Sequence, residues 1–182
     1  MNLFLVPVHL RRSHYALLEE LCKRLEARTP FPVGIRHIET GPELGFDVNR
    51  HQYNSSSIIQ HLSKHSGSDV LLGVCDADLF IPIFTFVLGE AQLSGNAGVV
   101  SVYRLRNSFY GLPDDPELFM KRLFKVALHE WAHLLGLMHC LETSCLMHAS
   151  SSVEEVDIRG DEFCPECQSI VWQYLNQIKQ RQ

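Results

Sequence analysis

The sequence has no extended stretch of positive charge. Its basic residues come at most in adjacent pairs, and the formal net charge of the 182 residues is −5. Binding to a nucleic-acid backbone depends largely on clustered lysine and arginine side chains. The sequence therefore argues against a nucleic-acid partner.

The features of export and membrane insertion are missing as well. No apolar stretch approaches the roughly 18–20 residues that a membrane-spanning helix requires, so no membrane partner is expected. The apolar start, residues 1–8, lacks a basic n-region and a small-residue cleavage site, and we interpret it as a first strand. We predict a cytoplasmic protein that is a monomer.

What the sequence does contain is a dense group of metal ligands in residues 129–139, which read HEWAHLLGLMH. On a helix, residues four apart share a face, so His129 and His133 can bind one metal ion together. Gly136 lets the chain leave the helix in a left-handed conformation and bring His139 back to the same ion. Three histidines leave one position of a tetrahedral zinc ion open for water, which is typical of a catalytic site.

Glu130 follows the first histidine directly and is the candidate catalytic base. A carboxylate beside a zinc ion can accept a proton from the water that zinc activates and return it to the leaving amine. The motif therefore predicts hydrolysis of a peptide bond.

Four of the six cysteines cluster at and after this motif: Cys140, Cys145, Cys164 and Cys167. Two close pairs separated by a loop are typical of a closed, structural zinc site. A pair of disulfides is one alternative, which a cytoplasmic location disfavours. A redox CxxC is another, although Cys164 does not clearly follow the strand-to-helix context of a thioredoxin-like motif. We predict two zinc ions per chain, one catalytic and one structural.

His139 and Cys140 are adjacent, so the two predicted sites share a backbone hinge. In extended chain, neighbouring side chains point to opposite sides, and each can face its own metal ion. Because metal binding and local folding are coupled, we expect that loss of the structural metal disturbs His139.

The histidine motif resembles the extended signature of the metzincin zinc peptidases. Together with the downstream cysteines it resembles the archaemetzincins. The match covers His129 to Cys167, and it extends upstream through residues 86–91 and 99–105. The resemblance implies a zinc peptidase with a catalytic zinc and a second, four-cysteine zinc, and it includes aminopeptidase action among the expected activities.

The resemblance also assigns Met147 to a tight turn that forms an apolar floor beneath the catalytic metal. Some metzincins place a tyrosine directly after this methionine, where this chain has His148. The family pattern has one residue more than the sixteen between Met147 and Cys164, a difference that a loop can absorb.

Hydrophobic periodicity along the rest of the chain predicts alternating strands and helices. Strands are expected at residues 3–8, 33–38, 70–75, 83–88 and 99–104. Helices are expected at residues 13–27, with Ser13 as N-cap, 55–65, 116–136, with Asp115 as N-cap, and 165–180. Residues 89–97 and 150–163 read as loops. The resemblance to the metzincins implies that strand 99–104 is the antiparallel edge strand over the cleft.

Two groups of polar residues allow more than one interpretation. Asp76 and Asp78 either bind a cation or form a turn, and we favour the turn. A second group follows the strand at 99–104 and either lies in a solvated loop or forms a rim that holds the substrate, and we favour the loop: Arg104, Arg106, Asn107 and Tyr110.

These elements predict a metzincin-like α/β fold, with a mixed twisted sheet, helices that include the zinc-binding helix, and a small irregular C-terminal lobe with one helix. We expect one catalytic domain over residues 1–182. Its N-terminal lobe is residues 1–136. Its C-terminal lobe is residues 137–182 and contains the methionine turn, the four-cysteine site and the last helix.

The predicted function is zinc-dependent hydrolysis of a peptide or protein substrate. The alternative is a non-catalytic, zinc-stabilised protein that holds peptides in the same cleft. Hydrolysis of peptides that depends on Glu130 separates the two.

Overall fold

The computed structural model describes residues 2–10 and 14–180, and their main sheet mixes parallel and antiparallel strands. In spatial order it contains β2 (Val33–Ile35), β1 (Leu3–Val8), β5 (Val70–Cys75), β8 (Ala97–Ser101) and β7 (Gly89–Ala91). The first four strands run parallel, and β7 pairs antiparallel with β8. The predicted mixed sheet is confirmed.

The edge strand differs from the prediction. Strand β8, expected at the edge, lies between β5 and β7 and is buried along its whole length. The edge is β7, which falls in a segment that we read as a loop. The largely apolar sequence of β8 is typical of an inner parallel strand, because such a strand is buried on both faces.

The strand predicted at residues 83–88 is also wrong. The chain instead forms the short strand β6 (Leu79–Phe80) and then a turn in which Phe84 N donates to Ile81 O. Ile83 and Phe84 are exposed. Strand β6 joins β3 (Phe46–Asp47) and β4 (Gln52–Asn54) in a second, small sheet.

Helices cover both faces of the main sheet. α1 (Tyr15–Glu26) and α3 (Pro116–Leu134) pack into one hydrophobic core, and α2 (Ser55–Ser63) packs into a second core on the other face. Asn54 is the N-cap of α2, and its side chain accepts from Ser57 N. Ser13, the predicted cap of α1, lies outside the described residues.

α3 has the predicted start and end. The Asp115 side chain accepts from Leu118 N, and Pro116 occupies the first turn, where its missing N–H costs no hydrogen bond. At the other end Gly136 is left-handed, with φ of 94°. There Leu137 N donates to Ala132 O, which closes the helix and turns the chain back towards its last turn.

The C-terminal segment contains one helix more than predicted. α5 (Pro165–Gln180) lies where the sequence predicts it, but α4 (Val153–Ile158) occupies part of the segment read as a loop. The Ser152 side chain caps α4 by accepting from Glu155 N. None of the helices in the described residues is long and apolar enough to span a membrane.

Two buried basic residues of α3 hold α4 in place. Lys125, 3% exposed, donates from Nζ to the backbone oxygens of Val156, Asp157 and Arg159. Arg122 binds the Asp157 carboxylate through Nε at 2.8 Å and Nη2 at 2.6 Å. The last carbonyls of a helix lack partners within the helix and carry partial negative charge, so the ammonium group of Lys125 caps α4.

Replacing Lys125 should destabilise the fold. Lys125→Met keeps much of the apolar stem but leaves the carbonyl oxygens at the end of α4 without a donor, so we expect the free energy of unfolding to fall by about 1–3 kcal/mol. Urea unfolding at fixed zinc concentration measures the change. The matched control is Lys121→Met, one turn earlier and exposed, which should stay within about 0.5 kcal/mol. Equal unfolding midpoints for the two variants would show that Lys125 does not cap α4.

Candidate metal centres and cleft

Three histidine rings meet at the end of α3. His129 and His133 are one turn apart on the helix, and His139 returns to them after Gly136. One nitrogen of each ring lies within 4.8 Å of a nitrogen of both other rings. The structure therefore brings together the three histidines that the sequence singles out as zinc ligands.

The hydrogen bonds of these rings fit a cation between them. Nδ1 of His129 lies 2.9 Å from the Leu146 carbonyl oxygen, and Nδ1 of His133 lies 2.6 Å from that of Leu137. A carbonyl oxygen only accepts, so each Nδ1 carries the hydrogen and each Nε2 presents a lone pair. The two Nε2 atoms are 3.1 Å apart, where facing lone pairs repel unless a cation lies between them. Tetrahedral Zn–N bonds separate two nitrogens by roughly 3.4 Å, so the donor set suits zinc.

A buried arginine lies behind His129. Nη1 of Arg159 is 3.1 Å from His129 Nδ1, and it donates to the His148 carbonyl oxygen, also at 3.1 Å. Burial lowers the pKa of His129, His133 and His139, and the charge of Arg159 lowers each pKa further. Burial also lowers the pKa of Arg159, to about 10, so it is a cation at neutral pH while the imidazoles are neutral. Neutral imidazole is the form that binds a metal.

Glu130 lies against the edge strand β7. A Cβ added to Gly89 would come within 2.7–2.9 Å of three atoms of the Glu130 side chain. The strand can approach this closely because residue 89 is glycine. Burial raises the pKa of Glu130 to about 8, and the charge of Arg159 opposes the rise. A cation bound by the histidines would lower this pKa again.

The four clustered cysteines form a second group. Their four Sγ atoms all lie within 4.8 Å of one another, and Cys140 Sγ is 3.8 Å from Cys164 Sγ. Tetrahedral Zn–S bonds give the same separation, roughly 3.8 Å. Backbone N–H groups of Met147 and Cys164 donate to Cys145 Sγ, as they would to a thiolate. Hydrogen bonding from the backbone of Cys167 lowers the pKa of Cys164, whereas burial raises the pKa of Cys145 and of Cys167. A cation bound by the four sulfurs would lower each of these pKa values.

The two groups are joined by the backbone around the methionine turn. Cys140 N donates to Met147 O at 2.9 Å, and the His148 ring lies 3.1 Å from Cys140 O through Nδ1. Met147 is buried. The segment that places Cys140 thus also places its neighbour His139, which is the hinge that the sequence predicts.

The comparisons with known proteins decide the family. The sequence model of peptidase family M54 matches residues 20–173. The chain belongs to this family. It is therefore a zinc metallopeptidase, and its substrates are peptides or proteins.

Relatives of this M54 peptidase agree in sequence and fold. The archaemetzincin of Methanocaldococcus jannaschii is 37% identical over 126 residues, which are 69% of this chain and 69% of that protein. The crystal structure of archaemetzincin from Methanopyrus kandleri has a TM-score of 0.84 at 32% identity and covers 97% of this chain and 96% of its own. The archaemetzincin of Archaeoglobus fulgidus, solved in complex with malonate, has a TM-score of 0.79 at 32% identity, over 93% of this chain and 99% of its own. The predicted metzincin-like fold is confirmed.

In this M54 peptidase a cleft with a volume of about 990 Å³ runs past the three histidines and Glu130. Residues 84–91, which include β7, line the cleft, as do six residues of the segment that contains α4: Ala149, Ser150, Ser151, Glu155, Val156 and Arg159. Most of the lining is apolar. A cleft of this size suits a short peptide.

Other polar residues singled out from the sequence have structural partners. Arg104 binds Asp78 through two hydrogen bonds, and Arg106 binds Asp76. Asn107 binds Pro113 O and the Arg122 guanidinium. These contacts agree with the turn interpretation of Asp76 and Asp78. The solvated loop expected for the second group is instead two short 3-10 helices, Tyr103–Leu105 and Asn107–Tyr110, and Arg104, Arg106 and Asn107 are half-buried.

Two cleft residues were not predicted from the sequence. Arg159 and Ser150 lie in the segment predicted to be a polar loop, where a single arginine and three consecutive serines form no recognisable motif. Arg159 directly follows α4, a helix that the sequence did not predict. His148 is not among the residues that line the cleft.

The contact between Gly89 and Glu130 can be tested directly. In Gly89→Ala the new Cβ must displace the Glu130 side chain, because the three nearest atoms all belong to it. We expect a crystal structure to show the carboxylate moved and kcat/KM for peptide hydrolysis to fall about 10²-fold. Zinc content should be unchanged. Unaltered kcat/KM together with an unmoved Glu130 would contradict the tight contact.

Proposed function

We propose that His129, His133 and His139 hold a catalytic zinc ion and that Glu130 is the general base of peptide hydrolysis. The supporting observation is the pair of facing Nε2 lone pairs of His129 and His133, 3.1 Å apart, with Glu130 on the same helix. We also propose that Cys140, Cys145, Cys164 and Cys167 hold a second, structural zinc ion. Four thiolates fill a tetrahedron and leave no position for water or substrate.

In this proposal zinc supplies Lewis acidity, which activates water and polarises the carbonyl group of the scissile peptide bond. Glu130 accepts a proton from the attacking water on its carboxylate and then donates it to the leaving amine. Leu146 and Leu137 hold the histidines through their carbonyl oxygens, which fixes the tautomer with Nε2 free. The buried position of Glu130 limits competing solvent.

We place the substrate between the two predicted lobes, residues 1–136 and 137–182. A peptide in extended conformation can pair with the edge strand β7 through main-chain hydrogen bonds. In this proposal β7 has the substrate-pairing position that was expected for strand 99–104. Met147 keeps its predicted role as an apolar floor. Aminopeptidase action, cytoplasmic location, a monomeric state and the absence of nucleic-acid binding stay predictions.

The role of Glu130 is tested by replacing it. Glu130→Ala should retain zinc, because the three histidines are unchanged, and should lower kcat for a peptide library by about 10²–10⁴-fold. Native mass spectrometry reports zinc and mass spectrometry of the products reports cleavage. Glu154→Ala, an exposed glutamate on α4, is the control and should keep full activity. Retained turnover in Glu130→Ala would refute the base, and peptide binding without cleavage by the unaltered protein would favour a binding protein.

Aminopeptidase action needs a separate comparison. Peptides with a free amino terminus should be cleaved one residue at a time from that end, and their N-acetylated counterparts should resist cleavage. Internal cleavage of both sets would show an endopeptidase.

The cysteine group is tested through metal content. Cys164→Ser should lower the zinc content by one ion, and it should weaken zinc binding at the histidines because His139 shares the hinge with Cys140. Native mass spectrometry with a competing chelator measures both effects. Cys22→Ser, at a half-buried cysteine of α1 far from the group in sequence, should leave two ions in place. Unchanged affinity of the histidine site in Cys164→Ser would contradict the coupling.

A further inference from the structure

Two polar groups of the cleft have no role in the mechanism above. Arg159 and Ser150 both line the cleft. Among the described residues, Arg159 Nε and Ser150 Oγ are buried polar atoms without a hydrogen-bond partner. They flank α4, with Ser150 before its start and Arg159 directly after its end.

No anion forms an ion pair with Arg159 in the described part of the chain, and Glu130 acts on it only at longer range. Arg104, Arg106 and Arg122 each bind an aspartate, whereas Arg159, only 3% exposed, takes part in none of the ion pairs there. Removing a cation from water without a paired anion is costly. The side chain is also not needed to end α4, because Lys125 Nζ already binds the carbonyl oxygens of its last turn.

We propose that Arg159 and Ser150 form a carboxylate subsite of the cleft, which binds an anionic group of the peptide substrate near the scissile bond. A guanidinium and a hydroxyl are two donors, and a carboxylate offers two acceptor oxygens. The subsite rests on the proposed function only for the position of the scissile bond. It makes substrate charge a determinant of specificity.

The carboxylate has two sources in peptides, the C-terminal α-carboxylate or the side chain of aspartate or glutamate. The volume of about 990 Å³ suits a short peptide, whose C-terminus lies within a few residues of any bond in the cleft. Either source offers the same two carboxylate oxygens. Peptides that differ in only one of the two carboxylates show which source binds.

The test measures binding to zinc-loaded Glu130→Gln protein by isothermal titration calorimetry, so that no turnover is required. One peptide pair is trialanine with a free or an amidated C-terminus, and a second pair carries aspartate or asparagine with the C-terminus amidated. We expect the acid of at least one pair to bind about 10- to 100-fold more tightly than its neutral partner. The pair that shows the difference identifies the source.

Substitutions then assign the difference to the subsite. Adding Arg159→Gln should bring the affinities for the acid and the neutral peptide within about threefold of each other, with the zinc content of each variant measured by native mass spectrometry. Arg159→Lys should restore part of the preference, and Ser150→Ala should reduce it. Arg24→Gln, in a surface ion pair of α1, is the control. If Arg159→Gln does not fold, Ser150→Ala and Arg159→Lys carry the test.

Two outcomes would overturn the subsite. One is equal binding of acid and neutral peptides in both pairs, and the other is a preference that survives the Arg159 and Ser150 substitutions, which would assign the carboxylate to the metal alone. Failure of the unaltered protein to cleave any peptide would count against the proposed function and leave a measured charge preference intact.

Discussion

The geometry of the histidine group depends on two hydrogen bonds from imidazole Nδ1 atoms to backbone carbonyl oxygens. Leu146 and Leu137 supply these oxygens from outside α3, so the ring orientations depend on how the chain after the helix folds back. Gly136 makes the first part of that return possible, and the turn around Met147 completes it. A helix alone would place two histidines on one face without fixing which nitrogen each presents.

Buried basic residues of α3 also bind the chain that follows the histidine motif. Lys125 and Arg122 bind the end of α4, and α4 in turn places Arg159 behind His129. Charged groups inside a protein are held only where partners satisfy them, so this contact is specific in a way that apolar packing is not. One helix thus carries two of the three clustered histidines at its end and, along its side, the basic residues that hold α4.

Much of this was readable from the sequence because the signals were local. Asp115 and Pro116 start α3, Gly136 ends it, and spacing alone groups the histidines and the cysteines. The failures have two different causes. β7 and β8 form a hairpin, and the Ser94-Gly95-Asn96 turn between them is a local signal that favours two paired strands over a loop. The burial of Arg159 is not a local property, because its guanidinium lies against His129, thirty positions earlier in the chain. Hydrophobic periodicity describes which face of an element is buried, and it does not say which element covers it.

The adjacency of His139 and Cys140 has a consequence for the order in which the protein is made. Cys140 belongs to a group whose last member is Cys167, so the support for His139 is incomplete until the start of α5 has left the ribosome. The helix with His129 and His133 is synthesised well before that point. A nascent chain can therefore bring His139 to the other two histidines stably only after the residues up to Cys167 have been made, about thirty positions after His139 itself.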